Sequence, residues 1–435
     1  MFDNLPNLTK EQALEILSLP IDKLELSSDY YKAAFHLAKH PGKDTEKALI
    51  GLISSNSIEQ AVNIARRKAV EVLALLRCYS AIPTITKCLS SDDIYLVENA
   101  AWALRHLDCK EQNIMEKVVL LLDNKRHNRR ILIQLLSSMG AKSKLNKIKE
   151  ILSDPLSKSI ECSAAIAAIY NLSGDKENFY LLEKYLYSSN QNERQCAVQD
   201  VIDIGLPELL ILALKSPVAP YFRLKALYKI WPENEIYYSK LNLFPLLEEI
   251  IINDIRGLKV LQTYEITKPI QVIFQDLFNT DFSRGYLGIT AMLNTDINTL
   301  WPIIYNNQDR IMKDYGSLYY INILFSHRSD WPDNAIEHIE NILNSCLNKN
   351  WPRYMKFKPI AILNLMKYKP IKYKSKLIEW VDELRTPFWA CRYAALMSIY
   401  RYLPEVDKSL LDSLLNKTIN DSHKFVRMKA KAMIT

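Results

Sequence analysis

Five stretches of this chain share one arrangement of apolar and polar positions. They are RRKAVEVLALL (66–76), VENAAWALRHL (97–107), NRRILIQLLSSMG (128–140), ECSAAIAAIYNL (161–172) and ERQCAVQDVIDIG (193–205). Each opens on polar or charged residues and continues with apolar ones at the three- and four-residue spacing of an amphipathic helix. Their starts lie 31, 31, 33 and 32 residues apart, the period of a two-helix repeat. Second amphipathic runs, such as AIPTITKCLSS and LNKIKEILSDP, fill the gaps and close on Ser-Asp, Asp-Pro or Ser-Asn. Those pairs stop one helix and set a capping residue for the next. A small residue near the start of the segments (Ala69, Ala100, Ala164) lets packed helices approach closely. A helix pair with so wide an apolar face buries it only by stacking on its neighbours. The pattern predicts an all-α chain, a HEAT/armadillo-like right-handed superhelical solenoid, with the aligned segments on the inside of the stack.

The organisation follows from where the period is sharp. Residues 1–28, with LTKEQALEIL, read as an N-terminal capping helix; residues 29–231 read as regular repeats; residues 381–435, with CRYAALMSIYRYL and FVRMKAKAMI, read as C-terminal repeats. Between 232 and 380 the period blurs, and four Trp-Pro steps (WPENE, WPIIY, DWPDN, NWPRY) punctuate the chain. That stretch is expected to hold degenerate helical repeats with longer turns, the prolines sitting just inside helix starts; a separate helical domain is the other reading.

Composition then removes some chemistry. Only 9 glycines occur in 435 residues, too few for the phosphate loops and tight turns of nucleotide-binding α/β folds. HExxH, paired CxxC, GxSxG, GxGxxG and GxxxxGK[ST] are all missing, so motifs alone indicate no enzyme class. The net charge of +7 comes from 56 basic and 49 acidic residues with interspersed signs, which suits an anionic ligand in a groove better than nucleic acid. Seven cysteines without paired spacing read as reduced core residues in a reducing compartment. The N-terminal stretch lacks the apolar core of a secretory signal and no run reaches the ~18 apolar residues of a spanning helix. No metal-ligating set is indicated: His36 and His40 share a helix face but have no evident third ligand.

SDYYKAAFHLAKHPG, IARRKAVEVLALL and AIPTITKCLSSDDIYLVENAAWALRHLDC together resemble the phycobilin lyases of the E/F clan, HEAT-like proteins of phycobilisome-containing organisms. The run SDDIYLVENAAWAL and the late TPFWACRYAALMSIY resemble most its phycoerythrin-directed group, densely over 28–205 and 380–434. The resemblance implies a lyase that attaches a linear tetrapyrrole, phycoerythrobilin, through a thioether to a cysteine of a phycobiliprotein (phycoerythrin) subunit, with or without isomerisation. The bilin is then a substrate rather than a permanent cofactor. The attacking thiol belongs to the acceptor protein, a second chain of the clan is a candidate partner, and nucleic acid is not one. The location implied is the cytoplasm, or plastid stroma, at sites of phycobilisome assembly. A non-catalytic HEAT scaffold or chaperone for the same subunit, and a HEAT-like DNA glycosylase, are the competing readings.

A lyase of this kind needs cations for propionates, aromatic walls, and a carboxylate facing the pyrrole N–H groups. Trp102 and Arg105 lie three apart on one helix, with core packing the alternative for Trp102. PYFR (220–223) and PFWACRY (387–393) place aromatics and an arginine at helix starts, where free backbone donors also favour anions. Arg223, Trp389, Arg392 and Tyr393 are therefore expected to bind bilin, ahead of the basic turn DNKRHNRR (123–130). KDYGS (313–317) offers Asp314 and Tyr315 as a catalytic pair on a loop, Asp314 reading equally as a helix cap.

Overall fold

The computed structural model describes residues 8–55, 57–232, 243–264, 268–349, 352–403, 405 and 408–434. Every regular element among them is an α-helix or a short 3-10 turn, and no strand occurs. None of these helices is long and apolar enough to cross a membrane. The chain forms two units, Met1–Tyr185 and Leu186–Thr435, so the division falls inside the stretch 29–231 that reads as regular repeats.

In the first unit the aligned segments are the long helices Gln60–Leu75, Ile94–His106, Arg129–Ser138 and Ser159–Ser173, preceded by Asp29–Leu37. They stack on one another in chain order, and the intervening helices Lys43–Ile53, Ile82–Cys88, Gln112–Leu122 and Leu145–Ser153 each pack beside the aligned helix that follows. Ala69, Ala100 and Ala164 are fully or almost fully buried in that stack, because a side chain of one carbon leaves room for the neighbouring backbone. Local chemistry sets the ends. Asp93 caps Ile94–His106 by accepting from the N–H groups of Tyr95 and Leu96, and Thr9 forms a reciprocal capping box with Gln12 at the start of Lys10–Ser18. Gly174, at φ 77°, closes Ser159–Ser173 in the left-handed conformation that favours glycine.

The second unit continues the same logic with Gln191–Ile204, Pro220–Ile230 and Leu243–Ile251, then Phe282–Leu293, Tyr315–His327, Lys358–Tyr368, Trp389–Tyr402 and Lys424–Ala432. Stacking persists through the stretch where the sequence period blurs. Of the Trp-Pro steps, Pro352 opens the 3-10 helix Pro352–Phe357 as expected, and the others serve differently. Pro302 sits inside Ile297–Asn306, Trp231 is the C-cap of Pro220–Ile230, and Trp331 packs against Trp301 and Phe325; Trp351 and residues 233–235 of WPENE lie outside the described residues. One close approach fixes the middle of this unit. A Cβ on Gly285 would come within 2.1 Å of the Tyr320 ring, so only glycine admits the tyrosine cluster Tyr286, Tyr319 and Tyr320 at that crossing.

An arginine of a long helix repeatedly reaches a turn or a helix start later in the chain. Arg67 makes a two-pronged bond to Asp93 at 2.8 and 2.9 Å. Arg129 bonds Glu161 and Arg194 bonds Asp281, the N-cap of Phe282–Leu293. Arg223 bonds Asn253, and Arg392 grips Asp421 at 2.6 and 2.7 Å. A paired guanidinium satisfies both the buried charge and the orphan groups of the turn. The bonds of Arg67, Arg129 and Arg392 tie successive repeats, and that of Arg194 reaches past Pro220–Ile230 and Leu243–Ile251 to the start of Phe282–Leu293.

Candidate functional site

The second unit holds a cavity of about 570 Å³, within the range of roughly 300–1,000 Å³ usual for small-molecule sites. Its walls come from one face of a helix and the starts of two others. Pro220–Ile230 contributes Tyr221, Leu224, Lys225 and Tyr228; Phe388, Trp389 and Ala390 come from the start of Trp389–Tyr402; His423 is the N-cap of Lys424–Ala432. Met355, Lys356 and Pro359 close another side, with Ile250 and Ile251 at the floor. The positions on Pro220–Ile230 are spaced three, four and seven residues from Tyr221, one stripe of an α-helix.

The wall is aromatic and cationic. Trp389 stacks on His423 with ring centroids 4.1 Å apart and planes 3° from parallel, and Tyr228 lies 5.3 Å from the same imidazole. Burial holds His423 down to about 4, against the nearby Asp421 carboxylate and with help from Arg392, Lys424 and Arg427. The imidazole is therefore neutral at physiological pH and offers one donor and one acceptor. Lys225 donates to the Gln199 side chain at 2.7 Å. Lys356 is half-buried, its ammonium lying over the rings of Tyr315, Phe282 and Tyr319 at 4.5, 5.0 and 5.2 Å. Burial lowers its pKa to about 8, opposed by the Asp314 carboxylate.

The residues singled out from sequence divide between this cavity and the frame behind it. Trp389 lines it. Arg223, 2% exposed, turns away instead: two positions after Tyr221 it points about 200° around the helix, to Asn253 and the Tyr286 hydroxyl. Arg392, 1% exposed, spends its guanidinium on Asp421 and on the carbonyls of Thr386 and Pro387 at 2.8 Å. Neither lines the cavity: both guanidiniums are buried and hydrogen-bonded within the protein, Arg223 through one Nη with its Nε unpartnered, against the expectation that they bind bilin directly. Tyr393 is fully buried behind Trp389, its phenol pushed well up by burial and by the Glu248 carboxylate. Asp314 is a cap between the helices Gln308–Lys313 and Tyr315–His327, accepting from the Ser317 N–H at 2.7 Å, rather than part of a loop. Tyr315 lies under the Lys356 ammonium at 4.5 Å and is not itself among the residues that line the cavity. Trp102 and Arg105 belong to the first unit, where Trp102 stacks on His106 at 3.7 Å and packs against the core; the cavity is built by the second unit alone.

Tyr221, Tyr228, Lys225, Lys356 and His423 were missed. The stripe Tyr221–Lys225–Tyr228 was readable as a helix face, and PYFR pointed to the right helix. Nothing in the sequence brought Lys356 or His423 to it, since both arrive by tertiary packing. The seven cysteines are free thiols, six of them buried. Burial raises the pKa of Cys78, Cys88, Cys109 and Cys162, and lifts Cys346 and Cys391 to about 12. Thiols held so far from ionisation are poor nucleophiles.

Residues 79–107 match the Armadillo/beta-catenin-like repeat. Over 410 residues the chain is 30% identical to the bilin biosynthesis protein CpeY of Synechococcus sp. (strain WH8020), covering 93% of this chain and 96% of that one. It is 28% identical over 402 residues to the uncharacterized phycocyanin operon protein Y of Pseudanabaena tenuis (strain PCC 7409), covering 91% and 92%. Among solved structures, the complex of CpcE and CpcF of phycocyanin lyase from Nostoc sp. PCC7120 aligns with 25% identity and a TM-score of 0.49, over 57% of this chain and 97% of that chain. Similarity along nearly the whole of both sequences, on an all-helical repeat architecture, places this chain in the family of the bilin biosynthesis protein CpeY.

Proposed function

We propose that this chain is a bilin lyase that holds phycoerythrobilin in the cavity of its second unit and presents it to a cysteine of a phycobiliprotein subunit, phycoerythrin. The carrying observation is the cavity itself: aromatic walls from Tyr221, Tyr228, Phe388 and Trp389 with Lys225, Lys356 and His423 among them. A conjugated tetrapyrrole matches the flat plate of Trp389 on His423. In the reaction, the acceptor thiolate adds to the ethylidene carbon of ring A. One C–S bond forms, the π bond is consumed, and the ring carbon takes up a proton equal to the one the thiol lost, so no oxidant or reductant enters. The protein's share is to hold the bilin still, exclude water and place a donor. Tyr315 stands as that donor in this reading, and Asp314, fixed as a helix cap, steadies the charge of Lys356. Raised thiol pKa values support an acceptor-borne nucleophile.

The test is purified chain, phycoerythrobilin and apo-phycoerythrin subunits, read by absorbance and peptide mass mapping. A thioether adduct that needs this chain and weakens in Trp389→Ala supports the reading. Bilin bound but never transferred, with or without a second chain of the clan, would leave a non-catalytic carrier instead.

A further inference from the structure

Half-buried and buried cations in the second unit are nearly all spoken for. Arg194 and Arg392 face carboxylates, and Arg223 faces an amide and a phenol. Lys367 donates to the carbonyls of Phe325, Ser326 and Arg328 at 3.0, 2.9 and 2.6 Å, closing the end of Tyr315–His327. Lys356 has no such partner: among the described residues its ammonium makes no hydrogen bond or ion pair, only contacts with three ring faces. Asp314 attracts it without reaching it, one oxygen of its carboxylate accepting from the Ser317 N–H. Ring faces offset part of the cost of burying an ammonium, but not all of it. The chain thus carries an incompletely compensated positive charge in the wall of an apolar cavity.

We infer that Lys356 is the anchor for a carboxylate of the ligand that fills this cavity, which is, resting on the reading above, one propionate of the bilin. Pairing would satisfy the ammonium with a charge-assisted bond in a poorly screened site. Lys225 donates to the neutral Gln199 side chain and His423 is neutral, so Lys356 is the cation of the cavity wall with no hydrogen-bond partner among the described residues. The lowered pKa of Lys356 agrees, since it records a charge awaiting its counterion. Phe282 and Tyr319 beneath it are themselves fixed, Tyr319 by a 2.9 Å hydroxyl contact with Tyr286, so the anchor is positioned before ligand arrives.

The experiment titrates phycoerythrobilin and its dimethyl ester, by absorbance, into the full chain and into Lys356→Met and Lys356→Arg. The unaltered chain should bind the free acid about ten- to a hundredfold more tightly than the ester. Lys356→Met should bind acid and ester alike, and Lys356→Arg should keep most of the preference. The comparison of acid with ester in the unaltered chain does not depend on any variant folding. Tight binding of both forms by the unaltered chain would overturn the anchor while leaving the bilin reading intact. Retention of the full acid preference by Lys356→Met would do the same. Failure of the unaltered chain to bind either form would overturn the bilin reading and the anchor with it.

Discussion

Trp389 and His423 lie face to face, 4.1 Å apart, although 34 positions separate them in the chain. One begins Trp389–Tyr402 and the other caps Lys424–Ala432, with Lys408–Thr418 between them, so the plate exists only while the last repeat is docked on the one before. Trp389→Ala should weaken bilin binding about tenfold or more, as loss of an aromatic stacking partner does, with far-UV helicity unchanged. Normal affinity in that variant would move the ligand out of this cavity.

His423 also makes the fold sensitive to acid. Its folded pKa of about 4 lies below the unfolded value near 6.5. Between those values the unfolded chain binds the proton more readily, so stability falls as pH drops from about 6.5 to 4. His423→Phe should flatten that part of the pH–stability curve, worth about 1–2 kcal/mol after allowing for partial exposure. Denaturant melts at pH 7 and 5 measure it. Asp421, Arg392, Lys424 and Arg427 face the imidazole and should be left unaltered in the comparison.

Lys356 should behave oppositely to a structural residue. With the folded pKa near 8 against about 10.4 in an unfolded chain, the held charge costs stability below pH 8, and the cost fades as pH rises toward 10. Lys356→Met should therefore raise the unfolding midpoint of the ligand-free protein at pH 7, by about 1–2 kcal/mol, and lose the rise in stability between pH 8 and 10. Asp314, Tyr315, Tyr319, Lys225, Tyr221, Tyr228 and His423 are the polar groups around it. A destabilised Lys356→Met would argue that the ammonium supports the frame.

Arg392→Ala should cost about 3–5 kcal/mol, because Asp421 would remain as a buried unpaired charge. Pairing Arg392→Met with Asp421→Leu should recover part of that, the carbonyls of Thr386 and Pro387 still lacking their donor. Chemical denaturation of the two variants gives the order.

Single Cys→Ala substitutions at Cys78, Cys88, Cys109, Cys162, Cys346 and Cys391 should leave the rate of adduct formation unchanged and cost only packing energy. A folded variant that bound bilin but formed no adduct would point to a covalent relay through this chain.

The helical repeat was legible because its signal is periodic: Ala69, Ala100 and Ala164 recur at the fourth position of three of the five aligned segments and are buried in the stack. The same periodicity misled the reading of the site. Arg223 and Arg392 stood out as arginines beside aromatics at helix starts, yet Arg67, Arg129 and Arg194 occupy the same place in earlier repeats and hold the same kind of turn. A residue that recurs with the repeat builds the repeat. Tyr221, Tyr228, Lys356 and His423 do not recur, and they meet only through packing between helices far apart in sequence, which no local pattern encodes.

Arg392–Asp421 has one more effect, on how the end of the array comes apart. Peeling away Lys408–Thr418 and Lys424–Ala432 would strand Arg392 without its anion, a penalty of about 3–5 kcal/mol that discourages fraying past this rung. His423 leaves with the same hairpin, so the cavity opens whenever the rung breaks. Whatever fills the cavity then acts as a latch on the terminal repeat. Mass action favours the zipped array in proportion to ligand occupancy, and amide protons of the last two helices should slow in exchange when ligand is bound.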